Sequence, residues 1–299
     1  MTVTRLVAQA IEKPWGRTGI SSHIVSDSGE RRIGEIWFSS ETERDLPLLV
    51  KYIYTSENLS IQVHPNDEQA RARGLAGGKS ECWYILDAEP SAQLGIGLKH
   101  EISSEELGKA ALDGSIERLL DWKPVKAGSF YYIAAGTVHA IGKGVTLIEV
   151  QQNNPITYRL YDYGRPRELH LEQALFISKA EPYNLPERIV PITAEECLVS
   201  GFDEPFILDM IQAKAGTVRR LDGELMWFIP LTGYGLIDGN PWKAGECWLI
   251  ENSACVKIDG PVSAFLARLP ETVREGTSAG KFASSLQALD ELGGKLNAL

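Results

Sequence analysis

Four residues of the sequence have side chains that suit metal binding, namely Gln62, His64, Glu81 and His139. Gln62 and His64 stand two positions apart in LSIQVHPND, and alternate residues of a strand share one face. Two imidazoles, a carboxylate and an amide oxygen suit a borderline ion such as Zn²⁺ and leave a coordination position open for water or substrate, whereas an all-oxygen set would favour Ca²⁺ or Mg²⁺. The residue types therefore favour a catalytic zinc site with one ion per chain.

The same residues also fit a simpler interpretation. LSIQVHPND could be an amphipathic strand with a solvated face, His139 a hydrogen-bonded core histidine and Glu81 a surface charge. Spacing and residue type alone do not decide between the two interpretations.

The composition narrows the class of partner. A formal net charge of −10 disfavours nucleic acid, because phosphate contacts need clustered Lys and Arg. No uninterrupted apolar run approaches the length of a membrane span, so no membrane partner is expected. The sequence predicts no particular oligomeric state.

The cysteines and the first residues bear on location. Cys82, Cys197, Cys247 and Cys255 form no C-x-x-C pair, and four in 299 residues do not make a disulfide framework. The opening MTVTRLVAQAIEKPWG lacks the basic start, apolar run and cleavage site of a secretory signal. The expected location is the reducing cytoplasm.

Most of the chain has strand patterning. Short apolar or alternating runs such as RRIGEIWFSS, LPLLVKYIYTS and ECWYILDAE are separated by Gly, Pro, Asn and Asp. The exception is 101–122, where Ser103 and Glu106 match a capping box and helical spacing breaks at Asp113 and Gly114. A short helix is also predicted from about Leu171. This pattern predicts a mainly β fold, a sandwich or a small barrel rather than an α/β layer structure.

The pattern also predicts domain limits. We expect a first β domain formed by residues 1–94 and 126–185, interrupted by a helical insertion at 95–125. The order of His64, Glu81 and, after a long gap, His139 behind a glycine turn fits a cupin (jelly-roll) barrel with its metal in the barrel mouth. A second, smaller cupin-like β domain is expected at 186–270, after a proline-punctuated linker. Residues 271–299 are predicted to be a polar tail with a short helix.

Three longer motifs resemble one enzyme family. They are PLLVKYIYTSENLSIQVHPND, GKSECWYIL and AGTVHAIGKGVTLIEVQQNNPITYRLYDYGR, and together with KPWG and GEIW they are similar to type I mannose-6-phosphate isomerases of the short bacterial branch, which have cupin folds. The resemblance runs in order over residues of about 12–170, and it is weak after 195. It implies a zinc-dependent aldose–ketose isomerase that interconverts mannose 6-phosphate and fructose 6-phosphate, with a small phosphosugar as its partner.

The resemblance also implies roles for single residues. The zinc ligands would be Gln62, His64, Glu81 and His139, the four residues chosen above by type. Lys79 from GKSE and Arg159 from ITYR match the family's catalytic lysine and arginine, and Lys51 and Ser60 match positions that line the sugar-phosphate pocket, which Arg159 would also line. These cations would give an acidic protein the local positive charge that a phosphate dianion needs, with Arg binding through two parallel hydrogen bonds and Lys acting as a point charge.

One position departs from the family pattern. Family members usually have Asp four residues before the arginine, where this chain has Pro155. The general base is therefore open between Glu149, Lys79 and a zinc-bound water. The change also leaves open a related cupin isomerase for another phosphosugar, or a non-catalytic metal-binding cupin that senses a sugar.

Overall fold

The structure is a computed structural model that describes residues 2–20, 29–42 and 44–270. The predicted tail at 271–299 and its short helix lie outside the described residues. The described chain is mainly β, which confirms the predicted fold class.

Strands before residue 162 alternate with three short helices. They are β1 (Thr2–Arg5), β2 (Val7–Arg17), β3 (Ile33–Ser39), β4 (Leu48–Tyr54), β5 (Ile61–Val63), β6 (Glu81–Ala88), β7 (Gln93–Leu98), β8 (Leu120–Pro124), β9 (Ser129–Ile133), β10 (His139–Ile141), β11 (Val145–Gln152) and β12 (Tyr158–Tyr161). The helices of the described residues are α1 (Asp67–Arg71), α2 (Ser104–Asp113), α3 (Ile116–Leu119) and α4 (Leu171–Ile177).

The later strands follow α4. They are β13 (Arg188–Ile189), β14 (Glu196–Val199), β15 (Ile207–Ala213), β16 (Val218–Pro230), β17 (Tyr234–Ile237), β18 (Asn240–Lys243), β19 (Trp248–Gly260) and β20 (Val262–Arg268).

These strands form three antiparallel sheets. The five-stranded sheet has the order β12-β5-β10-β7-β8, and the seven-stranded sheet has the order β13-β9-β6-β11-β4-β3-β2. The eight-stranded sheet has the order β14-β15-β20-β16-β19-β17-β18, with β1 also paired to β19.

The five- and seven-stranded sheets face each other and form the first barrel. Their inner faces share one apolar core, to which Trp83, Ile85 and Leu147 contribute from one sheet and Leu94 and Ile96 from the other. Because side chains alternate along a strand, the polar residues on these same inner faces must lie in the barrel as well. This is where the candidate site is found.

The two outer faces of the first barrel are also covered. Helices α2, α3 and α4 pack on the outside of the five-stranded sheet through residues such as Leu107, Ile116 and Ala174. The outer face of the seven-stranded sheet packs on the eight-stranded sheet in a continuous core, where the rings of Tyr84 and Phe265 lie 5.2 Å apart. The two β units therefore share buried surface and are not joined by a linker alone.

The local signals for the helical insertion are confirmed. Ser103 caps α2 in a capping box with Glu106, and Gly114 ends the helix with φ of 78°, a conformation that favours glycine. Helix α4 begins at Leu171, as predicted.

The strand pairing adds detail to the expected domain limits, which stay a prediction. Residues 2–5 lie in the eight-stranded sheet, because Thr2 pairs with Glu251 and Arg5 with Trp248. The segment 95–125 contains strand as well as helix, since β7 extends to Leu98 and β8 ends at Pro124.

The cysteines are unpaired and the described helices are short. Cys82, Cys197, Cys247 and Cys255 are all free thiols. The helices of the described residues reach ten residues at most, too short to cross a bilayer.

Candidate functional site

Three of the predicted metal ligands form a buried cluster inside the first barrel. Each of His64, Glu81 and His139 offers one ligand atom, and these three atoms lie within 4.8 Å of one another. Each of the three residues is 1% exposed. The two carboxylate oxygens of Glu81 lie 3.5 Å from His64 Nε2 and 3.4 Å from His139 Nε2. The carboxylate thus stands between the two imidazoles.

Hydrogen bonds orient both imidazoles. His64 Nδ1 lies 3.0 Å from the carbonyl oxygen of Ile156, and His139 Nδ1 lies 2.9 Å from that of Thr137. A carbonyl only accepts, so each Nδ1 carries the proton and each Nε2 presents its lone pair to the cluster. Backbone acceptors of this kind are the usual support of metal-binding histidines.

Burial also keeps both imidazoles neutral. Burial, assisted by the charge of Lys79, holds the pKa of His64 well below its ordinary value. Burial lowers the pKa of His139 to about 4. Burial and the neighbouring Glu149 charge raise the pKa of Glu81 to about 8. Two neutral imidazoles beside a carboxyl group whose charged form is disfavoured by burial form a donor set that a divalent cation would stabilise.

Gln62 lies next to this cluster. Its Nε2 is 3.3 Å from His139 Nε2, and its Oε1 accepts a hydrogen bond of 3.1 Å from Ser60 Oγ. A half-turn of the amide exchanges its oxygen and nitrogen without losing the Ser60 contact, because a hydroxyl both donates and accepts. Gln62 can therefore present its oxygen to the cluster.

The residues fit a bound metal ion. His64 Nε2 and Glu81 Oε2 are buried and have no hydrogen-bond partner among the described residues. Buried polar atoms are rarely left unpaired, and two that face each other in a nitrogen and oxygen donor set are accounted for by a shared cation.

Strand register explains why residues distant in sequence meet. Gln62 is the direct partner of His139 on β10 and of Arg159 on β12. On the facing sheet, Gln151 of β11 pairs with Glu81 of β6. Each sheet therefore contributes part of the cluster.

A cavity of about 190 Å³ adjoins the metal cluster. Gln62 and Lys79 line it and also contact the cluster. The cavity contains cationic, carboxylate and amide side chains from both sheets, and its polar lining residues are Lys13, Glu35, Lys51, Ser60, Gln62, Lys79, Glu149, Gln151, Asn153, Asn154, Thr157, Arg159 and Arg167. All the sequence-predicted sugar-pocket residues are in this set.

Glu149 faces the cavity. The sequence alone had not decided which face of β11 points inward. Its oxygens accept hydrogen bonds from Lys51 Nζ at 2.8 Å and Trp83 Nε1 at 2.9 Å. Lys51 Nζ also donates to Gln151 Oε1 at 2.5 Å. Burial opposes the charged form of Glu149, but the Lys51 and Lys79 charges and these hydrogen bonds outweigh it and lower its pKa. Val150, between the two inward residues, packs in the core behind the sheet.

Lys79 lies between the cluster and the cavity. Its ammonium is 3.8 Å from Glu81 Oε2, and the residue is 6% exposed. Burial lowers the pKa of Lys79, although the nearby Glu81 charge works in the opposite direction.

Arg159 is the cavity cation with the fewest partners. Its Nε is buried without a hydrogen-bond partner among the described residues, and none of their carboxylates lies within ion-pair distance of it. Arg167, which also lines the cavity, is held by Asp162 at 2.6 Å. The guanidinium of Arg159 is therefore free to bind an anion.

Pro155 also lines the cavity. The wall position where the family pattern has an acid is thus apolar here. The preceding Asn154 is 5% exposed and donates to the Gly77 carbonyl, while its Oδ1 accepts from Ile156 N at 3.0 Å. Asn154 therefore shapes the segment that presents the Ile156 carbonyl to His64.

Sequence reasoning missed one wall of the cavity. Glu35 accepts from Trp37 Nε1 at 2.5 Å and lies 3.4 Å from Lys13 Nζ, and the Lys51 ammonium lies 5.2 Å from the Trp37 ring centre. The motif GEIW was the signal in the sequence for this wall, because Glu35 and Trp37 are two positions apart and so share a strand face.

Comparison with known proteins extends this description. No protein-family model matches the chain. A curated relative, mannose-6-phosphate isomerase ManA of Bacillus subtilis, is 44% identical over 240 residues, which are 70% of this chain and 74% of that protein.

Solved structures with the same fold cover nearly the whole chain. The mannose 6-phosphate isomerase structure from Bacillus subtilis aligns with a TM-score of 0.71 and 26% identity over 90% of this chain and 100% of that chain. A zinc-bound mannose 6-phosphate isomerase aligns with a TM-score of 0.65 over the same shares, and at 14% identity it bears on the fold alone. From its 44% identity to the curated relative over most of that protein's length, the chain belongs to the mannose-6-phosphate isomerase family.

Proposed function

We propose that this protein is a zinc-dependent aldose–ketose isomerase that interconverts mannose 6-phosphate and fructose 6-phosphate. The observation that carries the proposal is the buried cluster of His64, Glu81 and His139 beside a cavity lined by cations. Family membership supports the reaction type, and the donor set of two imidazoles and a carboxylate supports the choice of zinc.

His64, Glu81 and His139 would hold the zinc ion, with Gln62 as the fourth ligand after its amide turns. Bound there, the ion would supply a Lewis acid that stabilises negative charge on the sugar oxygens as the C2 proton is removed. The neutral imidazoles and the two unpartnered ligand atoms support this assignment.

Arg159 would bind the phosphate of the substrate. It lines the cavity, its guanidinium has no described carboxylate partner, and its fork can donate two parallel hydrogen bonds to phosphate. Lys51 and Ser60 would orient the sugar. Because Lys51 is tied to Glu149 at 2.8 Å, it acts as a fixed donor in the wall.

Proton transfer between C1 and C2 needs a base at the cavity that can reach both carbons. Lys79 is our candidate, because it lines the cavity and contacts the metal cluster through Glu81. Glu149 is less suited as the base, because both of its oxygens already accept hydrogen bonds. Its role would be to position Lys51.

Pro155 favours a second candidate function, a related isomerase of another phosphosugar. Its ring occupies cavity wall where the family pattern has an acid, which removes one hydrogen-bonding group that could select among sugars. The reaction class and the roles above are the same for both candidates.

A coupled assay separates these possibilities. The zinc-loaded protein should form fructose 6-phosphate from mannose 6-phosphate, and a chelator should abolish the reaction while the same chelator saturated with zinc should not. Activity that survives the chelator would contradict the metal role. Turnover of a different aldose phosphate, with none of mannose 6-phosphate, would favour the second candidate.

A further inference from the structure

The segment 77–80, which carries Lys79 and leads into Glu81, is held from outside by hydrogen bonds. Three successive backbone N–H groups of this segment each donate to a different acceptor. Gly78 N donates to Asp67 Oδ1 at 2.7 Å, Lys79 N to the Pro65 carbonyl at 2.9 Å, and Ser80 N to Gln152 Oε1 at 2.9 Å. None of the three N–H groups is used in a regular strand ladder.

Asp67 and Gln152 are also bonded to each other. Gln152 Nε2 donates to Asp67 Oδ1 at 2.9 Å, so one carboxylate oxygen receives both the amide side chain and the Gly78 N–H. Gln152 N further donates to the Ser80 carbonyl at 3.0 Å. We call this pair, Asp67 with Gln152, the Asp67–Gln152 clamp.

Packing leaves the segment no room to move toward α1. A Cβ at Gly78 would lie 2.6 Å from the Asn66 carbonyl carbon and 2.7 Å from Asp67 N. Any side chain there would push the segment away from its acceptors. Glycine is therefore required by close backbone approach.

The clamp joins the segments that carry the site. Asp67 follows His64 by three residues, Gln152 ends the strand that carries Glu149, and the held segment carries Lys79. Neither Asp67 nor Gln152 lines the cavity, so any effect on the reaction must pass through Lys79 or Glu81.

We propose that Asp67 and Gln152 are positioning residues that fix the Lys79 ammonium between the metal cluster and the cavity. The proposal rests on the proposed function, because Lys79 matters only if it serves a reaction there. Because Asp67 Oδ1 accepts from both Gly78 N and Gln152 Nε2, the clamp needs an acceptor at 67 and a donor at 152.

Substitutions at both positions give the test. Gln152→Glu removes the donor and places a second carboxylate against Asp67, so kcat should fall at least tenfold while KM changes less than threefold. Asp67→Ala removes the shared acceptor and should cause a similar loss of kcat. Asp67→Asn keeps Oδ1 as an acceptor for both N–H groups, so its kcat should stay within threefold of that of the unchanged protein.

Arg71→Ala is the matched control. Arg71 pairs with the other oxygen of Asp67, Oδ2, at 3.4 Å on the surface, and its loss leaves the Oδ1 contacts in place. Its kcat should equal that of the unchanged protein. Equal loss in Arg71→Ala and Gln152→Glu, or equal loss in folded Asp67→Asn and Asp67→Ala, would overturn the proposal.

Two further measurements cover the remaining outcomes. Should Gln152→Glu not fold, Gln152→Met removes both hydrogen-bonding groups without adding charge, and a normal kcat there would overturn the clamp. If the unchanged protein does not isomerise mannose 6-phosphate, hydrogen–deuterium exchange over residues 77–81 still tests the Asp67–Gln152 clamp. Exchange should be faster in Gln152→Glu and Asp67→Ala than in Asp67→Asn, and unchanged exchange in the first two variants would overturn the clamp independently of the reaction.

Discussion

Gln62 and His139 are direct cross-strand partners in the five-stranded sheet, with their side-chain nitrogens 3.3 Å apart. Seventy-six residues separate them in sequence, yet the pairing of β5 with β10 fixes their side chains on one face. The placement of both side chains at the candidate metal site is therefore a property of sheet register, and a one-residue slip of either strand would turn its side chain to the other face.

His139→Ala should abolish metal binding and activity together, because the variant removes one of the two imidazoles of the cluster. Metal analysis after gel filtration should fall from about one zinc per chain to a trace. His100→Ala, which changes an exposed histidine outside the cluster, is the control and should keep its zinc. A His139→Ala protein that stays active without metal would contradict the site.

Glu149→Gln should destabilise the fold as well as slow the reaction. Removing one partner of a buried ion pair leaves the other charge unpaired, which costs about 3–5 kcal/mol, and Lys51 and Glu149 are both buried. Urea unfolding of the metal-free variant would measure the change in the free energy of unfolding.

The matched control for Glu149 is the exposed pair of Arg31 and Glu12, 2.9 Å apart. Glu12→Gln should change the free energy of unfolding by less than about 1 kcal/mol, because water screens exposed pairs. Similar losses at both positions would contradict the inference that burial makes the Lys51 pair important.

Arg159→Lys should lower kcat/KM for the phosphosugar by at least about tenfold, because lysine cannot donate two parallel hydrogen bonds to phosphate. Its zinc content should not change, since Arg159 lies outside the cluster. Arg118→Lys changes an exposed arginine of α3 and should leave kcat/KM unchanged. Near-normal kinetics in Arg159→Lys would remove it from the binding site.

Phe265→Ala should destabilise both β units at once. Phe265 is fully buried in the core shared by the seven- and eight-stranded sheets, and truncation of a buried Phe costs about 3–5 kcal/mol. Heat unfolding should remain a single transition at a lower temperature, followed by circular dichroism and by tryptophan fluorescence. Two separated transitions in the unchanged protein would show that the units fold independently.

Local signals in the sequence predicted the local structure well. Ser103, Glu106 and Gly114 predicted the limits of α2 through capping chemistry that depends on neighbouring residues alone. The i and i+2 spacing of Gln62 and His64 placed both on one face for the same reason.

Features that depend on distant pairing were not predictable from such signals. The inward face of β11 was left open because Glu149 and Gln151 alternate with Val150 and Gln152 in a run with polar residues on both faces. Val150 packs in the core between the seven- and eight-stranded sheets, and this packing turns Glu149 and Gln151 toward the cavity. The acceptors of the Gly78 and Ser80 N–H groups, and the wall of Lys13, Glu35 and Trp37, likewise arise only when separate strands come together.

The pairing of β1 with β19 affects how the chain can fold during synthesis. Thr2 and Glu251 are partners, so β1 leaves the ribosome long before β19, the strand with which it pairs. Contacts between residues this distant in sequence form late, because a long loop must close before they stabilise the fold. They also make folding slower. All strands of the first barrel are therefore synthesised well before β1 can pair. Completion of the eight-stranded sheet is the last topological step.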